Sequence, residues 1–238
     1  VIKNDDIDLF QKIYIQLKID KNHCLQSNQF ERISILKNNP RMIQVAAFFG
    51  SIKVFKYLYL EKADLTLCDE SNRNCFAFAI AGGNAEIIHI IEQALWKDDN
   101  TNVITDMLQT AIKYGQNSIF QWLLSKSSDS NMKSIIKQNV VLQSIISKNI
   151  YGLISFVDYI YACESIICHY SIIFDNFEFF KLLNCFYFQS KNTLICDAAI
   201  CGNIDILKYL INDDKFELNK SLRKIVIKIA LKFDNIEL

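Results

Sequence analysis

The chain repeats itself, and an internal repeat limits the accessible folds more than any composition figure does. The stretch Ala46-Ala47-Phe48-Phe49-Gly50-Ser51-Ile52-Lys53-Val54-Phe55-Lys56-Tyr57-Leu58 returns as Ala198-Ala199-Ile200-Cys201-Gly202-Asn203-Ile204-Asp205-Ile206-Leu207-Lys208-Tyr209-Leu210. Related copies start at Ala79 and Ala111, weaker ones at Ile145 and Ser171, and a truncated one runs from Ala230 to Leu238. Successive starts are separated by 33, 32, 34, 26, 27 and 32 residues. A unit of that size cannot bury its own apolar face, so copies must stack and share one continuous core.

Each copy reads as helix, tight corner, helix. The first helix ends at Gly50, Gly83, Gly115 or Gly202, where a left-handed backbone costs glycine little. In the other copies the expected corner residue is Asn149, Asp175 or Asp234, types that tolerate the same conformation. Ser51, Asn84, Asn176, Asn203 and Asn235 follow the corner as N-caps of the second helix.

Composition agrees with a helical array. Six Gly and one Pro among 238 residues leave too little turn chemistry for a sandwich or barrel, while 51% hydrophobic residues suffice for a large core. The fold class expected is all-α. Lys plus Arg and Asp plus Glu both number 26, so no global field favours nucleic acid. The longest charge-free runs, Asn149 to Val157 and Ser165 to Phe174, fall short of the ~18 apolar residues of a membrane span. No membrane insertion is expected. The eight Cys are scattered without the clustering of a disulfide framework, which points to reduced thiols and a cytoplasmic protein, cytoskeleton-associated in an alternative reading. The start at Val1 and the stop at Leu238 inside a second helix point to a piece of a longer chain or assembly.

The pattern Ala-Ala-x-x-Gly-Ser/Asn-Ile-x-x-Phe/Leu-Lys-Tyr-Leu resembles the ankyrin repeat, in the divergent, Ile-, Asn-, Lys- and Phe-rich form of protist arrays. Leu60-Glu61-Lys62-Ala63-Asp64-Leu65 is similar to that family's Gly-Ala-Asp ending, Asp69 stands where its β-turn carries Asp, and Thr193 opens the slot of its Thr-Pro-Leu-His tetrapeptide. The resemblance implies a helical solenoid with projecting β-fingers, reduced in the middle repeats where Tyr159 to Glu164 and Asn184 to Asn192 are short. No copy is expected to supply the tetrapeptide's His, so its ties between neighbouring turns are not carried over. The array is placed at residues 39–238, with copies at about 39–70, 71–103, 104–137, 138–163, 164–190, 191–220 and a truncated 221–238. Residues 1–38 are a degenerate N-terminal helical repeat or cap, with a helix over Asp8 to Ile19 (Leu9, Ile13 and Leu17 on one stripe) and another over Phe30 to Leu36.

The function implied is non-enzymatic: a scaffold or adaptor that binds a protein through its concave groove. The residues that match groove or finger positions are Phe48, Phe49, Arg73, Lys113, Tyr114 and Phe174. An alternative is a permanent component of a filament or of a cytoskeletal or ciliary assembly, using the aromatic stretch 145–192 with Phe177, Phe179, Phe180, Phe186, Tyr187 and Phe188. A remote alternative is a metal module built on Cys163, Cys168, His169, Cys185, Cys196 and Cys201. Its spacings are wider than the ligand pairs of structural zinc sites, and Cys196 and Cys201 are placed at opposite ends of one helix. No cofactor is expected. No nucleophile elbow, phosphate loop or His-Glu-x-x-His motif occurs, and His23, His89 and His169 fall in different copies. Lys220, Lys224, Lys228 and Lys232 form a basic stripe opposite Leu222, Ile225 and Ile229, a solvated face in the ordinary case.

Overall fold

The computed structural model describes residues 1–26, 31–95, 101–126, 134–156, 164–183, 191–212 and 220–232. These residues are helical with no strand among them; an isolated antiparallel bridge joins Cys24 to Arg41. The chain divides into two compact units, Val1–Met132 and Lys133–Leu238.

The first unit contains α1 (Ile7–Gln16), α2 (Met42–Phe49), α3 (Ile52–Leu60), α4 (Cys75–Gly82), α5 (Ala85–Leu95), α6 (Thr101–Lys113) and α7 (Asn117–Lys126). The first helices of successive copies, α2, α4 and α6, pack side by side, and the second helices α1, α3 and α5 do the same behind them. The second unit repeats the plan with α8 (Ser134–Ile146), α9 (Ile150–Ile154), α10 (Glu164–Ile173), α11 (Phe177–Leu183), α12 (Lys191–Cys201), α13 (Ile204–Ile211) and α14 (Lys220–Lys232). There α8, α10, α12 and α14 form the front row, with α11 against α13 behind. Fully buried Phe55, Phe78 and Phe120 anchor the first core, and Phe180 anchors the second. Each such ring contributes about 1.5–3 kcal/mol relative to an exposed one.

The corners carry the expected left-handed backbone: φ is 67° at Gly50, 81° at Gly83, 70° at Gly115, 73° at Gly202 and 50° at Asp175. One expectation is corrected. In the fourth copy the left-handed residue is Lys148 (φ 55°), while Asn149 is the N-cap of α9 and accepts from the Tyr151 amide. The register of that copy therefore shifts by one residue, and Ser144 rather than Ile145 is its start. Corner spacings become 33, 32, 33, 27 and 27 residues from Gly50 to Gly202. Asp234 and Asn235 lie outside the described residues.

The segment before α2 carries the same corner geometry. Asp5 is left-handed (φ 52°) and Asp6 caps α1 by accepting from the Leu9 amide. The Asp5 carboxylate also accepts from the amides of Lys53 and Val54 at 3.1 and 2.9 Å, and the Ser51 hydroxyl donates to the Ile2 carbonyl. Asp5 thus caps α3 from a distance, and Ser51 turns its hydroxyl away from its own helix. The helix expected over Phe30 to Leu36 is a single 3-10 turn, Ser34–Leu36, and Phe30 lies outside the described residues. On α1 the buried residue is Phe10, stacked on Tyr14, whereas Leu9 and Leu17 are exposed. The stripe that defines the helix is not the face that packs.

The link between α3 and α4 shows how neighbouring copies are tied. Gln44, fully buried on α2, donates its amide to the carbonyls of Leu67 and Arg73 in the next turn, at 2.9 and 3.1 Å. Its own oxygen accepts from the Arg41 amide. The ties that seemed lost without a histidine are supplied by this glutamine. A histidine does occupy the matching slot of the fifth copy: His169, six residues before the corner as Gln44 is, sits with Nδ1 2.5 Å from Asp197 Oδ2 of the next copy. At the corners Asn176 donates to the Ile145 carbonyl at 3.0 Å, Gln116 donates to the Ala81 carbonyl at 3.1 Å, and Asn203 donates to the Ile172 carbonyl. The cap residue of one copy holds the end of the helix before it.

Candidate protein-binding face

Counting back from each left-handed corner places two residues per copy at the C-terminal end of the front helix. In the first unit these pairs are Lys3 and Asn4, Phe48 and Phe49, Ala81 and Gly82, and Lys113 and Tyr114. Lys3, Asn4 and Lys113 are exposed and Phe48, Phe49 and Tyr114 are half-buried. In the second unit the pairs are Ile146 and Ser147, Ile173 and Phe174, and Ile200 and Cys201. Ile146, Ile173 and Ile200 remain 43%, 54% and 40% exposed, too much for residues packed in a core.

The first-unit row has depth at its centre because of Gly82. A Cβ there would lie 2.2 Å from the Phe48 carbonyl oxygen and 2.8 Å from that of Ala47, so only glycine allows α2 and α4 to approach this closely. Across this gap Tyr114 of the third copy reaches Phe48 of the first, edge to face with ring centroids 6.3 Å apart. Phe48 meets Phe49 at 5.2 Å in the same manner. The Tyr114 hydroxyl lies 3.3 Å from the hydroxyl of Ser34, which holds the ring from the other side. Two ammonium groups flank the cluster: Lys3 Nζ is 5.5 Å from the Phe49 centroid and Lys113 Nζ 5.6 Å from that of Tyr114. Both distances lie within cation–π range.

The structure therefore brings together Phe48, Phe49, Lys113 and Tyr114, and adds Lys3. Arg73 stands apart. Its guanidinium pairs with the buried Asp69 carboxylate at 2.6 and 2.9 Å and donates to the Ile35 carbonyl at 3.0 Å. Asp69 in turn accepts from the amides of Ser71 and Arg73. Arg73 thus closes the turn on which it sits. Phe174 lies in the second unit beside Tyr170 at 6.3 Å. Lys3 escaped sequence reading because its copy has almost no first helix to align; the pair Asp5-Asp6 at its corner was the available signal.

The remaining candidates are distributed as follows. Among the described residues no group of three or more His, Cys, Asp or Glu side chains is placed to hold a metal. Cys163 and Cys185 lie outside the described residues. Cys196 falls in the middle of α12 rather than at its end. Burial and the neighbouring Asp197 carboxylate push the thiols of Cys196 and Cys201 up, away from the reactive thiolate. His89 contacts Glu92 and Gln93, its neighbours on α5. Of the aromatic stretch, Phe179 and Phe180 are buried and Phe177 packs on Tyr209, while Phe186, Tyr187 and Phe188 lie outside the described residues. On α14, Lys220, Lys224 and Lys228 are exposed as expected, whereas Ile225 is 44% exposed and Val226 is buried; the side chains of Leu222, Ile229 and Lys232 lie outside those described.

Stacked helix–corner–helix units with a repeated surface row define a helical-repeat protein. Residues 43–134 match the family model of ankyrin repeats, in three copies. No curated protein matches the chain. Ankyrin repeats serve in general to mediate protein–protein interaction and are typically non-enzymatic. No helix among the described residues is long and apolar enough to cross a membrane.

Proposed function

We propose that the chain is a non-enzymatic scaffold or adaptor that captures a protein partner on the row of residues preceding the corners, which corresponds to the concave groove of the family. The observation that carries this reading is the exposure of Ile146, Ile173 and Ile200 together with the clustering of Phe48, Phe49 and Tyr114. A repeat array leaves large apolar side chains in register on one face only at some cost in solubility, and such patches mark contact surfaces. Phe and Tyr are also residue types enriched at protein interfaces. Phe48, Phe49, Lys113 and Tyr114 form the binding set of the first unit, where Arg73 fixes a turn, and Phe174 belongs to the row of the second. Cysteines outside any disulfide at positions Cys24, Cys68, Cys75, Cys168, Cys196 and Cys201 favour a reducing, cytoplasmic location. A permanent lattice role has weaker support, since Phe179 and Phe180 belong to the core.

The test is affinity purification of the intact protein, followed by titration of the identified partner with purified variants. Phe48→Ala combined with Tyr114→Ala is expected to weaken binding about 100-fold, the size of two hot-spot truncations, with an unchanged circular dichroism spectrum. Tyr59→Ala with Leu60→Ser, on the opposite face, is expected to leave affinity unchanged. The reverse pattern overturns the assignment.

A further inference from the structure

From the charge of the first-unit row we infer the chemistry of its occupant: an acidic segment of a partner protein, with carboxylates against Lys3 and Lys113 and an apolar side chain between them at Phe48 and Tyr114. This rests on the row being the binding face. The eight row positions of that unit hold two lysines and no acid. Among the described residues neither lysine is in an ion pair, although Lys56, Arg73, Lys126 and Lys181 each pair with a carboxylate. The nearest acid in sequence, Asp5, is occupied by the α3 amides of Lys53 and Val54. Both ammonium groups instead lie over aromatic rings at 5.5 and 5.6 Å, an arrangement that leaves their N–H donors open to a carboxylate.

The occupant is protein rather than nucleic acid because two cations in a chain of zero formal charge neutralise too few phosphates to hold a polyanion at physiological salt. The aromatic floor between the lysines adds an anchor that purely ionic binding lacks. Charge on the rim then selects the partner and speeds encounter, while the apolar contact at Phe48 and Tyr114 sets residence time. The Ser34 hydroxyl keeps the Tyr114 ring in place before binding, so little ordering cost falls on association.

Fluorescence anisotropy on the whole chain tests this with three labelled probes: a peptide alternating Glu and Leu, its Lys–Leu counterpart, and a single-stranded oligodeoxynucleotide of equal length. The Glu–Leu peptide is expected to bind, about tenfold more weakly to the variant carrying Lys3→Glu and Lys113→Glu, and more weakly as salt rises. Both sites are exposed, so these variants fold; circular dichroism verifies it. Equal binding of the Glu–Leu and Lys–Leu peptides, or an unaltered affinity in the double variant, overturns the inference, as does preference for the oligonucleotide. Loss of the natural partner in the variant carrying Phe48→Ala and Tyr114→Ala, but not in the lysine variant, would keep the binding face and remove the acidic occupant. Loss only from the variant carrying Tyr59→Ala and Leu60→Ser would remove both.

Discussion

The two units use one corner and present two surfaces. In the first, the residue two positions before the corner is Lys3, Phe48, Ala81 and Lys113; in the second it is Ile146, Ile173 and Ile200. The corner itself is the same left-handed turn, followed by a cap, in both. Backbone geometry thus conserves the corner from copy to copy, because few residue types accept positive φ. Apart from Gly82, where the α2 backbone leaves no room for a Cβ, no such restraint falls on the side chains before it. The first surface is aromatic and basic, whereas the second is uncharged and led by exposed isoleucines. The units also differ in their ties. Gln44, together with Arg73 and Asp69, joins the second and third turns of the first unit. The second unit relies on Asn176, Asn203 and the His169–Asp197 pair.

Five substitutions sharpen or break this comparison. The largest effect is expected at Gly82. Gly82→Ala forces a methyl against the backbone of α2 and is expected to cost about 3 kcal/mol, the upper part of the range for overpacking. Cys201→Ala, at the matching place of the second unit, is exposed and is expected to change stability by less than about 0.5 kcal/mol. A loss at Gly82 as small as that at Cys201 in urea denaturation would show that α2 and α4 do not depend on their close approach.

Next come the ties. Gln44→Ala leaves the part-buried Leu67 and Arg73 carbonyls without this donor, and Asn176→Ala does the same to the buried Ile145 carbonyl, so each is expected to cost about 1–3 kcal/mol. If Gln44→Ala were neutral by the same measurement, the first unit would be held by its core alone. The smallest effect is a titration. Hydrogen bonds from the Thr66 hydroxyl and amide hold the Asp64 carboxyl below the usual carboxylate range. A depressed folded value gives stability that is present above the unfolded value and is lost as pH falls through the folded one. Thr66→Ala is therefore expected to raise the Asp64 midpoint in an NMR titration and to flatten the first unit's response to mild acid. An unmoved midpoint would assign the depression elsewhere.

Much of this molecule was readable before any coordinates. The all-α repeat, the corner glycines, Asp175 and the asparagine caps follow from periodicity and from the few residues that tolerate a left-handed turn. Phe48, Phe49, Lys113 and Tyr114 were found by counting from those corners. What counting missed has a common cause. Lys148 replaced Asn149 because the lysine backbone accepts positive φ when the adjacent cap pulls the turn closed, a one-residue choice made by packing. Leu9 and Leu17 define an amphipathic stripe, but which flank of it is buried depends on where α3 lies, and Phe10 and Tyr14 face Tyr57 there.

The sequence by itself determined the architecture, since local backbone preference and apolar spacing repeat with every copy and need no knowledge of distant residues. Only the tertiary structure decided the roles of individual polar groups. Arg73 reads as a free finger cation until Asp69 and the Ile35 carbonyl are seen around it, and Gln44 reads as an ordinary helix residue until two carbonyls of the next turn meet it. Lys3 and Lys113, 110 residues apart, flank one aromatic cluster only because stacking brings their copies together. A hydrogen bond or an ion pair needs two partners at about 3 Å, and residues far apart in sequence reach that distance through packing alone.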